Sequence, residues 1–146
     1  MGWNPWNVFM NKATEGLIRQ QVDLLQHYGL DKLGYVYINL DDGWLLKDRD
    51  SEGKIQINYE RFPSGMKDMG EYLHAKNLKF GNIFLVIILG LYNSAGPNTC
   101  HGGAGGLIHE KVDAQSYSDW EVDFLKYDSC GGLGMERYVA MSRALN

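Results

Sequence analysis

Lys126, Tyr127 and Asp128 follow the apolar pair Phe124-Leu125 and precede Cys130 and two glycines. An ammonium and a carboxylate two positions apart on an extended chain project from the same face. Lys126 could therefore keep Asp128 ionised, as a nucleophile or base must be. A second acidic doublet, Asp41-Asp42, ends the run "YVYINL" at 35–40 and is followed by Gly43. Asn93 and Ser94 follow a third apolar run, "IFLVIILGLY" from Ile83. Paired carboxylates are the equipment of general acid, base and nucleophilic catalysis. Plainer readings exist for each: Asp-Gly is a common turn signal, and a lone aspartate after a strand can cap a helix. A metal hydrolase built on Asp41, Asp42, His101 and Asp128 is a third option. His74, His101 and His109 show no ligand-like clustering with cysteine or carboxylate, which favours structural roles for them.

The elements around these residues decide whether they can meet. From Thr14 to Tyr28, apolar residues recur at helical spacing (Leu17, Ile18, Val22, Leu24, Leu25, Tyr28), with Thr14 as N-cap and Gly29 as the stop. Residues 64–76 carry Met66, Met69, Tyr72 and Leu73 on one helical face. A strand falls somewhere in 78–92, a helix over 109–120, a strand over "VDFLKY", and a last helix over 135–145. Such alternation predicts parallel strands joined by crossover helices, because strands at these separations cannot be hairpins. The fold class is α/β, either an open doubly wound sheet or part of a (β/α) barrel. In both, ligands sit beyond the carboxyl ends of the strands, where Asp41, Asp42, Asn93, Ser94, Lys126 and Asp128 all fall. The glycine-rich "CHGGAGG" at 100–106 follows a loop and lacks the Gly-x-Gly-x-x-Gly spacing, which argues against a dinucleotide site.

The chain has 146 residues, enough for one ordinary domain and short of the roughly 250 of a complete barrel. Its formal charge of −4, with no Lys/Arg stripe, argues against a nucleic-acid partner. The longest apolar run has ten residues where a membrane helix needs about 20, so no membrane span is expected. No basic segment or apolar run follows Met1-Gly2-Trp3-Asn4, and no secretory signal is read there. The two cysteines, Cys100 and Cys130, are either buried thiols or one bridge.

Five ordered blocks, "MGWNPWN", "GYVYINLDDGW", "RFPSGMKDMGEYLHAKNLKFG", "LYNSAGPNTC" and "HEKVDAQSYSDWEVDFLKYDSC", resemble the amino-terminal half of the catalytic barrel of the α-galactosidase (melibiase) family, glycoside hydrolase family 27. The family also includes α-N-acetylgalactosaminidase. The resemblance implies a (β/α)8 barrel truncated to about its first four β/α units, with residues 1–146 as one domain. It implies hydrolysis of terminal α-linked galactose with retention of configuration, without metal or cofactor, in a secreted, vacuolar or lysosomal setting. Asp128 matches the nucleophile. Asp41, Asp42 and Lys126 match groups that grip sugar hydroxyls, and Trp6 and Tyr92 match pocket walls. Cys100 and Cys130 match a disulfide that borders the substrate pocket. Trp3 is read as core. Galactoside is the expected partner, and homodimerisation is one way to cover two open sheet edges.

The chain also departs from the family pattern. The family's acid/base aspartate and a sugar-binding arginine have no counterpart within these residues, which leaves an inactive sugar-binding fragment as the alternative. Nine residues, 82–90, stand as an insertion, so either the strand shifts or an apolar bulge forms. The family's Ser-Asp reads Asn93-Ser94. A further family disulfide is absent: one cysteine is replaced by Gly43, the other within "FMNK" at 9–12.

Overall fold

The computed structural model describes residues 1–76, 88–131 and 134–146, and its strands line up in chain order. β1 (Gly2–Trp3), β2 (Tyr37–Leu40), β3 (Ile88–Ser94) and β4 (Phe124–Asp128) form one sheet, each parallel to the next. The helices α1 (Trp6–Phe9), α2 (Glu15–His27), α3 (Gly65–Ala75) and α4 (Glu110–Asp119) lie between strands in sequence, and α5 (Met135–Leu145) follows β4. Because all strands run the same way, Trp3, Leu40, Ser94 and Asp128 end on one rim. Of the two α/β arrangements the alternation left open, strands in chain order are the barrel type, as the family resemblance implied.

Local chemistry sets the boundaries. Thr14 adopts an extended conformation and its Oγ1 accepts the Leu17 N–H at 3.3 Å, starting α2 where the sequence placed it. Gly29, at φ +68°, stops it. α3, α4 and α5 fall within a residue of their expected spans. β4 begins two residues later than "VDFLKY" suggested and includes Asp128 itself. β1 escaped the sequence reading because two residues carry no periodicity.

The strand register divides the sheet's two faces. Ile38 and Leu40 pair with Leu89 and Leu91. They belong to one buried cluster with Ile18, Val22 and Leu25 of α2 and Met66, Met69 and Leu73 of α3. Burying each such side chain contributes about 1.5–3 kcal/mol. Trp3 packs against this cluster as a partly buried residue. The other face carries Asn39, Gly90, Tyr92, Ser94, Lys126 and Asp128, with Asn39 opposite Gly90, Tyr92 opposite Lys126 and Ser94 opposite Asp128. Gly90 is needed there: a Cβ at that position would run into the Asn39 amide and meet Phe124 at 3.3 Å.

Of the two outcomes expected for the nine residues 82–90, the described part accords with a shifted strand. Residues 88–90 are the first three of β3 and hold register with both neighbours. Residues 79–81 and 82–87, to which the rest of that expectation applied, lie outside the described residues.

Candidate active site

Beyond Leu40 the backbone turns at Gly43, at φ +97°, and the two preceding carboxylates point to different partners. Asp41 accepts hydrogen bonds from Lys126 Nζ at 2.9 Å, Asn4 Nδ2 at 2.8 Å and the Asp42 N–H at 2.9 Å. Burial pushes its carboxyl upward, but these three donors and the lysine charge outweigh that and hold it below the ordinary range. Asp42 accepts from Thr99 Oγ1 at 3.0 Å, the His101 N–H at 3.0 Å and the Gly43 N–H at 2.8 Å. Both aspartates are more than nine-tenths buried. The doublet thus ties β2 to β1 and β4 through Asp41, and to the loop after β3 through Asp42.

Tyr92, buried near the end of β3, sends its hydroxyl towards β4. The oxygen lies 3.3 Å from Asp128 Oδ2 and 3.3 Å from Cys130 Sγ. Burial, then the Asp128 and Asp42 charges, push the phenol well above its ordinary range, so it stays a protonated donor. Trp44 Nε1 donates to the Tyr92 carbonyl at 2.9 Å and fixes the strand end. Asp128 Oδ1 accepts the Ser129 N–H at 2.7 Å. Cys100 and Cys130 form a disulfide with Cα atoms 5.2 Å apart, joining the loops after β3 and β4. Of the two options open on composition, the bridge is the one present. Trp6 meets the His101 ring edge-on at 4.6 Å between centroids.

The rim therefore brings Asp41, Lys126, Tyr92, Asp128, Cys100 and Cys130 into one chain of contacts, with Asp42 and Trp6 attached through the loop carrying Thr99 and His101. Lys126 gives its hydrogen bond to Asp41, not to Asp128, and its ammonium sits 4.9 Å from the centre of the Tyr92 ring. Residues two apart on a strand share a face, but the ammonium reaches sideways to a neighbouring strand end where a buried carboxylate needs a partner. Asn93 turns the other way and donates to the Tyr117 hydroxyl at 2.8 Å.

Asn4 and Thr99 were not singled out in the sequence, although each directly holds an acidic group. Asn4 stands two residues before Trp6 and Thr99 next to Cys100, and proximity to those residues is the signal that could have found them. The His101 ring, read as lying apart from any carboxylate, in fact stands with Nδ1 3.7 Å from Asp42 Oδ2. Gly43 lies against Asn11, in the segment where the family cysteine is missing: a Cβ on Gly43 would be 3.2 Å from Asn11 Cβ. Arg61 spans the same place, donating to the carbonyls of Asn11 and Gly43. Among the described residues, Asp41, Asp42, His101 and Asp128 do not come together as one metal-ligand group. A cleft of about 500 Å³ between Asp50, Lys54, Gln115 and Trp120 is larger than the hollow beside Asp42 and His101, about 220 Å³. Convergent polar groups rather than volume single out the rim.

Parallel strands in chain order with carboxylates and a lysine at their carboxyl ends define a β/α-barrel type of site. The chain belongs to the alpha galactosidase A (Melibiase_2) family, whose profile matches residues 1–146. It is 45% identical over 149 aligned residues to an alpha-galactosidase of Oryza sativa subsp. japonica, covering 99% of this chain and 34% of that protein. Alpha-galactosidase 3 of Arabidopsis thaliana is 44% identical, with 100% and 32% covered. Among solved structures, alpha-galactosidase I of Mortierella vinacea superposes with a TM-score of 0.89 at 35% identity, over 100% of this chain and 36% of that one. The Saccharomyces cerevisiae enzyme, solved with raffinose, gives 0.89 at 38% identity, over 100% and 32%. The chain thus spans about a third of the length of these relatives. No described helix is long and apolar enough to cross a membrane.

Proposed function

We propose that residues 1–146 are the amino-terminal half of a retaining α-galactosidase barrel and supply its nucleophile and much of its galactose-binding rim. Asp128 attacks the anomeric carbon of a terminal α-galactoside and the aglycone oxygen leaves with a proton. Water then opens the galactosyl ester with net retention. Lys126, Asp41 and Asp42 bind the sugar hydroxyls, Trp6 and Tyr92 wall the pocket, and the Cys100–Cys130 bridge stiffens its border. The observation that carries this reading is the junction of three strand ends: Lys126 on Asp41, and Tyr92 on Asp128.

The proton donor comes from residues outside this sequence. Asp41 is held ionised, and each oxygen pair of Asp41 and Asp42 already accepts three hydrogen bonds. That engagement favours a second reading as well: these residues alone bind galactose without cleaving unactivated galactosides. Raffinose, present in the Saccharomyces cerevisiae structure, is the natural first substrate, with α-N-acetylgalactosaminides as the competing class. A disulfide at the pocket border suits the secreted or vacuolar setting.

An aryl α-galactoside with a good leaving group needs no acid and isolates the nucleophile's step. Turnover by the purified chain that disappears in Asp128→Ala, with circular dichroism unchanged, supports the reading; equal turnover in the variant rejects it. Galactose raising the melting temperature without any turnover selects the binding-only reading.

A further inference from the structure

We propose that reducing the Cys100–Cys130 bridge turns this corner of the rim into a binding site for a soft divalent metal ion, held by both sulfurs and a carboxylate oxygen of Asp128. The three ligand atoms already lie within 4.8 Å of one another, with Cys100 Sγ 4.0 Å from Asp128 Oδ2. A tetrahedral zinc-type ion, with metal–sulfur bonds of about 2.3 Å and metal–oxygen bonds of about 2.0–2.2 Å, needs ligands about 3–4 Å apart. The two sulfurs, bonded in the bridge at about 2.05 Å, must separate to about 3.8 Å once reduced, by rotation of the two cysteine side chains, while the carboxylate closes by about an ångström. In the oxidised chain the sulfurs have no thiolate to offer, so the site exists only after reduction.

The surrounding contacts keep the ligands in place once the bridge opens. On either side of Cys100, the Thr99 hydroxyl and the His101 N–H are bonded to Asp42. The Ala95 N–H donates to the Asp128 carbonyl at 2.8 Å, which holds the end of β3 to the end of β4 beside Cys130. The Tyr92 hydroxyl, within 3.3 Å of both Cys130 Sγ and Asp128 Oδ2, is placed to orient two ligands at once. Lys126 is paired with Asp41, which leaves the Asp128 carboxylate beside the two sulfurs as the charged ligand of the set. Cys100 is exposed, so a reductant can reach the bridge and the ion's fourth position faces solvent.

The chemistry balances with a dithiol as reductant. Its thiolate attacks one cysteine sulfur, its second thiol resolves the mixed disulfide, and the reductant leaves as a cyclic disulfide. Two electrons and two protons pass to Cys100 and Cys130. The metal then displaces both protons as it binds the thiolates. Coordination of Asp128 blocks hydrolysis; that consequence rests on the nucleophile reading, whereas the site itself does not.

The test uses cadmium as the probe. The chain is reduced, freed of dithiol under inert gas and titrated with Cd²⁺, reading the ultraviolet thiolate-to-cadmium charge-transfer band. One equivalent should bind per reduced chain and none to the oxidised chain. Asp128→Asn should weaken binding at least about tenfold, and Cys100→Ser should abolish the band. No band in a reduced chain with intact near-ultraviolet circular dichroism overturns the proposal. So does a band equally strong in Asp128→Asn, or one that appears only after that dichroism collapses. If cadmium binds through Asp128 and aryl galactoside hydrolysis continues undiminished, the inhibitory consequence and the nucleophile reading fall together, while the spectroscopic result stands for the site.

Discussion

Lys126→Met tests how the rim's buried charge is held. The lysine side chain is 46% exposed and its partner Asp41 only 6%. Exposed ion pairs contribute about 0.2–1 kcal/mol, while breaking a fully buried pair costs about 3–5 kcal/mol. With one partner half in water, and with Asn4 and the Asp42 N–H still bonded to the carboxylate, a loss of about 1–2 kcal/mol at neutral pH is expected. For a chain of this size that lowers the melting temperature by about 2–8 °C. The pH dependence supplies the sharper criterion. In the parent, Asp41 is depressed below its unfolded value. Its contribution is therefore present above the unfolded value and disappears as pH falls through the folded one. In the variant the lysine no longer opposes burial, so the Asp41 carboxyl rises and takes up a proton sooner. A protonated Asp41 needs no ammonium, and the gap between variant and parent should narrow towards zero as the solution is acidified. Urea denaturation of both proteins from neutral to acidic pH measures this. A gap that stays constant across that range, or no gap at neutral pH, refutes the account.

Arg49→Ala should be far more damaging, because the guanidinium bonds both oxygens of Asp113, whose side chain is wholly buried, at 2.6 and 2.8 Å. Burial already pushes that carboxyl up despite the arginine, so a loss of about 3–5 kcal/mol by urea denaturation is expected, partly recovered by adding Asp113→Asn. Gly90→Ala should destabilise by displacing the Asn39 amide, and Asn39→Ala in the same chain should restore part of the melting temperature.

The periodicity of α2, α3 and α5 and the polar residues at each strand end were legible because they depend on local geometry. Helical spacing, a capping threonine and the two-residue alternation of a strand are set within a few residues of chain. The carboxyl-end rule then placed Asp41, Asp42, Lys126 and Asp128 on one rim without any coordinates. Residues 88–90 fall in the strand expected somewhere in 78–92, but an apolar run fits more than one strand register, and only pairing with Asn39 and Phe124 selects one. The partner of Lys126 was equally hidden. Asp41 lies 85 positions away, and which carboxylate the ammonium serves depends on relative burial across neighbouring strands. Asn4 and Thr99 became site residues for the same reason: a buried carboxylate draws donors from whichever elements the sheet brings beside it. Local sequence determined what chemistry each strand end offers; long-range packing decided which groups satisfy one another.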